Sequence, residues 1–91
     1  MDIIKRSGIR QKFSIKKLEK SIVMAGRRAK LSVAKVREVT KRVSGSVLKS
    51  LRGKSSIRAT NLRRMVLTRL NRSAKAAAAS WRRYDRTKKS R

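Results

Sequence analysis

The feature that most constrains this fold is a stripe of aliphatic residues. Val36, Val39, Val43, Val47 and Leu51 recur at intervals of three and four, the period at which side chains share one face of an α-helix. Such a stripe needs an apolar surface to pack on, so the rest of the chain must supply one. Ser32 is placed to cap this helix, which the spacing carries to about Arg52, with Gly53 closing it. Gly45 interrupts the helix at a cost of about 1 kcal/mol relative to Ala, which suggests a kink or close packing there.

The surrounding segments read as partners for the stripe. Ser14 caps a first helix from Ile15 to about Gly26, with Ile15, Leu18, Ile22 and Ala25 inward and Gly26 as its stop. Arg27 to Lys30 then forms a basic connector. Lys54-Ser55-Ser56 reads as a loop. A third helix spans about Ala59 to Leu70, with Leu62, Val66 and Leu70 inward and Met65 beside them, and Asn71-Arg72-Ser73 breaks it. A fourth runs from about Ala74 to Tyr84. Its run from Ala76 to Ala79 allows close helix approach, and Trp81 and Tyr84 anchor its end. Ahead of the helices, Ile3-Ile4, a turn at Ser7-Gly8 and an alternating run read as a β-hairpin. In that run Ile9, Gln11 and Phe13 lie on one side and Arg10 and Lys12 on the other. The expected architecture is α+β and mainly α: a short N-terminal β-hairpin packed on a small four-helix bundle. Residues 1–84 form one domain, and 85–91 form a basic tail.

Charge then bounds the function. Against 29 Lys and Arg stand Asp2, Glu19, Glu38 and Asp85, for a net charge of +25. A solubility-tuned surface of this size carries a net charge of about 2–8. Basic residues mark almost every segment, including Arg69 on the third helix and Arg72 at its break. The expected phosphate contacts are Lys5, Arg6, Arg10, Lys12, Lys16, Lys17, Lys20, Arg27, Arg28, Lys30, Arg63, Arg64, Arg82, Arg83, Arg86, Lys88, Lys89 and Arg91. Charge on several sides points to a protein embedded in nucleic acid. Arg outnumbers Lys, 16 to 13, and arginine suits bidentate phosphate contacts and stacking. RNA is therefore favoured over DNA, in a ribosomal or other ribonucleoprotein assembly with further proteins as neighbours. A DNA-coating or chromatin role is the alternative.

Other classes are disfavoured. Without Cys or His there is no disulfide framework, and the usual thiolate or imidazole metal ligands are missing. The common acid, base and nucleophile groups are missing as well, so a binding protein is expected rather than an enzyme. No apolar run is long enough to span a membrane and no signal-peptide pattern opens the chain. The expected location is cytoplasmic, soluble or bound to the ribosome or nucleoid.

The N-terminal half also carries a resemblance. Ile3-Ile4-Lys5-Arg6-Ser7-Gly8, then Phe13, Lys17-Leu18, Ser21-Ile22 and Ala25, resemble the opening of the ATP-cone domain. Ile57 to Leu70 looks like that family's third helix, and Ala74 to Arg83 like its last. The resemblance covers about residues 3 to 84 and implies binding of ATP or dATP, in a module that regulates ribonucleotide reductases or their transcriptional repressor. Carried over, it places Lys5, Arg6 and Lys17 at phosphates and Gln11 and Ser14 near base or ribose. The family's usual Asp after Lys-Arg is Ser7 here. A free-standing ATP or dATP sensor is thus a further alternative, with ATP the one small ligand implied.

Overall fold

The computed structural model describes residues 1–89, with side chains as far as Arg83. In chain order the elements are β1 (Asp2–Ile4), β2 (Arg10–Lys12), α1 (Ile15–Arg28), α2 (Val33–Leu51), β3 (Ser56–Arg58), α3 (Ala59–Ser73) and α4 (Lys75–Lys89).

The valine stripe forms the centre. Val39, Val43, Val47 and Leu51 of α2 pack with Leu18, Ile22 and Ala25 of α1, Val66 and Leu70 of α3, and Ala77, Ala78 and Trp81 of α4. The small alanines let α4 lie close, as expected from their lack of bulk. Trp81 anchors α4 through its indole: Nε1–H donates to Ser21 Oγ at 3.0 Å, and Ser21 in turn donates to the Leu18 carbonyl. Ser14 and Ser32 cap α1 and α2, accepting from the backbone N–H of Lys17 and Lys35 at 3.3 and 3.2 Å.

The sheet is larger than the sequence suggests. β1 is its central strand, antiparallel to β2 and parallel to β3. The third strand falls where a loop and the approach to a helix were expected. It is only three residues long, too short for periodicity to reveal, and it forms because Ile57 is buried in the core while its backbone pairs with β1. In register, Ile4 lies between Arg10 and Arg58, and Asp2 between Lys12 and Ser56. Side chains alternate along a strand and cross-strand partners share a face. Ile3 and Ile57 therefore face the core, while Ile4, Arg10, Lys12 and Arg58 share the opposite face.

Several boundaries move. α1 continues past Gly26 through Arg27 and Arg28, so this pair belongs to its last turn rather than to a connector. Gly26 is buried, and a Cβ there would sit 2.9 Å from Val36 Cγ2; the glycine lets α1 and α2 approach instead of ending the helix. Two residues past the helix end, beyond the C-cap Ala29, Lys30 turns the chain away with a φ of +61°, in the left-handed region. Leu31 N–H donates to the Gly26 carbonyl and Lys30 N–H to that of Arg27, the paired bonds of a Schellman motif. Gly45 neither packs closely nor meets anything: a Cβ there would enter open space. Residues 71–73 continue α3, since nothing in Asn-Arg-Ser forbids helix, and the break comes at Ala74 in extended conformation (φ −161°). α4 likewise runs to Lys89, so the backbone of 85–89 is helix where a tail was expected. Ile9 belongs to the hairpin turn and is 63% exposed, whereas Phe13 packs against the core.

Candidate functional site

Two cationic regions emerge. The first is built at one end of the sheet. Lys5 to Gly8 form a turn in which Gly8 N–H donates to the Lys5 carbonyl at 2.8 Å and Lys5 N–H to that of Ile9 at 2.9 Å. Gly8 supplies the positive φ of +89° that the turn requires. The turn leaves Lys5 and Arg6 exposed beyond the end of β1. β3 runs parallel to β1 and delivers Arg58 to the same end, and β2 starts there with Arg10. α3 begins at this point as well. Its N-cap is Arg58, which makes no side-chain cap bond, and its first turn holds no acid. Unlike α1 and α2, α3 thus starts without a side-chain cap, beside the strand ends that carry Lys5, Arg6, Arg58 and Arg10, the last of them paired with Asp2. An N-terminus of this kind favours an anion such as phosphate.

Ser14 and Lys17 do not join this group. β2 runs antiparallel to β1, so its end at Lys12 lies beside Asp2, and α1 starts from that opposite end of the hairpin. The Ser14 hydroxyl is occupied in capping α1. Gln11 sits midway, paired with Ile3 and exposed. The residues fit the phosphates of a nucleotide at the Lys5–Arg6 end. They do not form one cluster of Lys5, Arg6 and Lys17. Arg58 is not among the expected contacts because the short strand that carries it falls between the expected loop at 54–56 and the expected third helix.

The second region lies on α3. Arg64, Thr68 and Arg72 follow one another at intervals of four and line both of two shallow, open hollows of about 440 and 570 Å³. Asn61, Met65 and Arg69 complete the first hollow; Thr60, Arg63, Leu67, Asn71 and Arg82 complete the second. Arg69 is fixed against α2, its Nε and Nη2 each donating at 2.6 Å, to Ser46 and Ser50.

The other expected contacts are dispersed. Lys16, Lys17 and Lys20 are exposed along α1, Arg27 and Arg28 at its end, Lys12 on β2 and Arg83 on α4. Lys30 is exposed at the turn that ends α1. The side chains of Tyr84, Arg86, Lys88, Lys89 and Arg91 lie outside the described residues. Acidic partners offset little of this charge: Asp2 pairs with Arg10 and Glu38 with Arg42, each at 3.5 Å between exposed side chains. Pairs so exposed contribute about 0–1 kcal/mol. Among the described residues, no group of three His, Cys, Asp or Glu is arranged to hold a metal ion, and no helix is long and apolar enough to cross a membrane.

A three-stranded sheet with a parallel pair, packed on four helices and presenting an uncapped helix start among cations, defines a small α+β module suited to phosphate groups. The sequence profile of the ATP cone domain matches residues 1–90. The chain belongs to the ATP-cone domain family, whose members are regulatory ATP-binding modules. A search of the curated proteins gives no match.

Proposed function

We propose that this ATP-cone protein is a non-enzymatic nucleic-acid-binding protein that holds the phosphate backbone with weak sequence preference, with RNA in a ribonucleoprotein assembly as its partner. The observation that carries this reading is the spread of unneutralised cations. With 29 basic residues against four acidic ones, and exposed Lys or Arg in the hairpin turn, on β2 and on all four helices, the charge far exceeds what a single triphosphate needs. A polyanion in contact on several sides relieves the self-repulsion and stabilises the native form by mass action.

The test is the salt dependence of RNA affinity. Each neutralised phosphate releases counterions, so log K falls with log salt by about 0.7 per contact on single strands and about 0.9 on duplex DNA. A slope of several units is expected; a slope near zero, or no binding at low salt, refutes the reading. Nuclease treatment of the native complex separates the partners. Ribonuclease releases an RNA-bound protein, and deoxyribonuclease releases one that coats DNA.

A second reading, an ATP- or dATP-binding module, draws on family membership and on the uncapped start of α3 beside Lys5, Arg6, Arg10 and Arg58. Calorimetry distinguishes the two. Saturable, adenine-selective binding in the micromolar range supports nucleotide sensing. Feeble binding that is equal for all triphosphates supports a fold turned to polynucleotide.

A further inference from the structure

We infer that the Arg64–Thr68–Arg72 ridge of α3 is the seat of an RNA strand, with the two arginines on phosphates and the Thr68 hydroxyl accepting a hydrogen bond from a ribose 2′-OH. This deepens the nucleic-acid reading above and rests on it. Three observations carry it.

The first is placement. The three residues recur at intervals of four, so they form one row on a single helix face, and Arg64 and Arg72 stand about 12 Å apart along the axis with Thr68 midway. All three are exposed, and each lines both hollows of α3. The ridge thus has a trough on either side, an open shape that suits a backbone crossing the surface better than it suits an enclosed small molecule.

The second is rigidity. Arg69 ties one flank of α3 to Ser46 and Ser50 of α2. On its inner side Val66 and Leu70 are almost wholly buried. A row mounted on so fixed a helix presents its groups already ordered, which lowers the entropy lost on binding.

The third is the state of the Thr68 hydroxyl. Its Oγ1 lies 2.8 Å from the Arg64 carbonyl oxygen. A carbonyl cannot donate, so the hydroxyl proton is spent inside the helix and only acceptor capacity remains outward. An acceptor between two arginines is of no use to a phosphate, which itself only accepts. It matches a backbone that carries a donor between its phosphates, and the ribose 2′-OH is the donor that distinguishes RNA from DNA. Stacking offers no competing account of RNA preference among the described residues: Trp81 is buried and Phe13 packs on the core.

Fluorescence anisotropy with a mixed-sequence single-stranded RNA oligonucleotide and its deoxy counterpart tests the inference on the full chain. Arg64→Ala/Arg72→Ala should lower the salt slope on RNA by about 1.4, the loss of two contacts. Arg37→Ala/Lys41→Ala removes the same charge from exposed positions on α2 and should leave the slope nearly unchanged. Thr68→Val should reduce RNA affinity about three- to tenfold and leave DNA affinity as it was. Thr68→Ser, which keeps the hydroxyl, should restore it. Equal slope losses in the two double variants overturn the ridge as the seat. Equal effects of Thr68→Val on RNA and DNA, or no effect on either, overturn the ribose contact. If the unaltered protein binds neither oligonucleotide at low salt, the parent reading falls as well, a result distinct from the other two.

Discussion

One substitution made at two helical glycines should have opposite consequences. Gly45→Ala adds a methyl that meets nothing within 4 Å, so only backbone propensity changes. The gain is about 1 kcal/mol, which for a domain of this size raises Tm by about 4–8 °C. Gly26→Ala brings the same propensity gain into a closed contact. Its Cβ would sit 2.9 Å from Val36 Cγ2, 3.5 Å from Cγ1 and 3.6 Å from Cβ, whereas carbon atoms rest at about 3.5–4.0 Å. Valine has one strongly preferred rotamer in a helix, so Val36 cannot swing aside cheaply, and α1 must move off α2. Overpacking of this kind costs about 1–3 kcal/mol. The net change at Gly26 therefore runs from near zero to a loss of about 2 kcal/mol, always below the gain at Gly45. Thermal unfolding followed by circular dichroism, at one moderate salt concentration, gives both values. Adding Val36→Ala should recover part of the Gly26→Ala loss as a favourable coupling. Equal rises in Tm for the two glycine variants would show that α1 and α2 are not in contact at Gly26, and would refute the reasoning.

Three further outcomes follow from the same structure. Lys30→Gly should stabilise the protein by about 0.5–1 kcal/mol, because Lys30 holds a left-handed φ of +61° that glycine adopts without strain; a fall in Tm would contradict the Schellman geometry. Arg69→Lys should cost about 1–2 kcal/mol in urea titration, since one ammonium cannot reproduce the forked bonds to Ser46 and Ser50; an unchanged midpoint would count against them. Raising salt from low to moderate concentration should raise Tm of the free protein, because screening weakens repulsion within a chain of net charge +25; a constant or falling Tm would refute this.

What the residues disclosed in advance was whatever depends on local pattern. The valine stripe, the serine caps at Ser14 and Ser32, the turn at Gly8 and the close-packing alanines all act through neighbours within a few positions. The family, too, was legible from Lys5-Arg6-Ser7-Gly8 and the helix that follows. What stayed hidden depends on residues distant in sequence. Ile57 joins a strand only because β1 is there to pair with it. Gly26 looks like a helix stop until Val36 is brought against it. Lys30 turns the chain away from α1 in a conformation that sequence rules assign to glycine. For the site, the cationic residues could be named, but not which of them share a surface. Arg58 was absent from the expected contacts. The family resemblance groups Lys17 with Lys5 and Arg6, but antiparallel pairing sends it to the other end of the hairpin. Thr68 had no charge to draw attention, and its role depends on a proton committed to the helix.

The central position of β1 has a bearing on the order in which the molecule assembles. Its pairing with β2 closes a loop of a few residues and needs nothing else. Its pairing with β3 closes a loop containing all of α1 and α2, and the entropy of closing such a loop grows with its length. Pairing α1 with α2 first shortens that span and lowers the cost of bringing β3 to β1, which favours the order hairpin, helices, third strand. Arg58 travels with β3, so it meets Lys5, Arg6 and Arg10 only when this late closure is complete. A phosphate held at that end would bridge the earliest and the latest parts of the sheet to form. It would slow unfolding more than it hastens folding, since the interactions it makes are missing from any transition state in which β3 is still undocked.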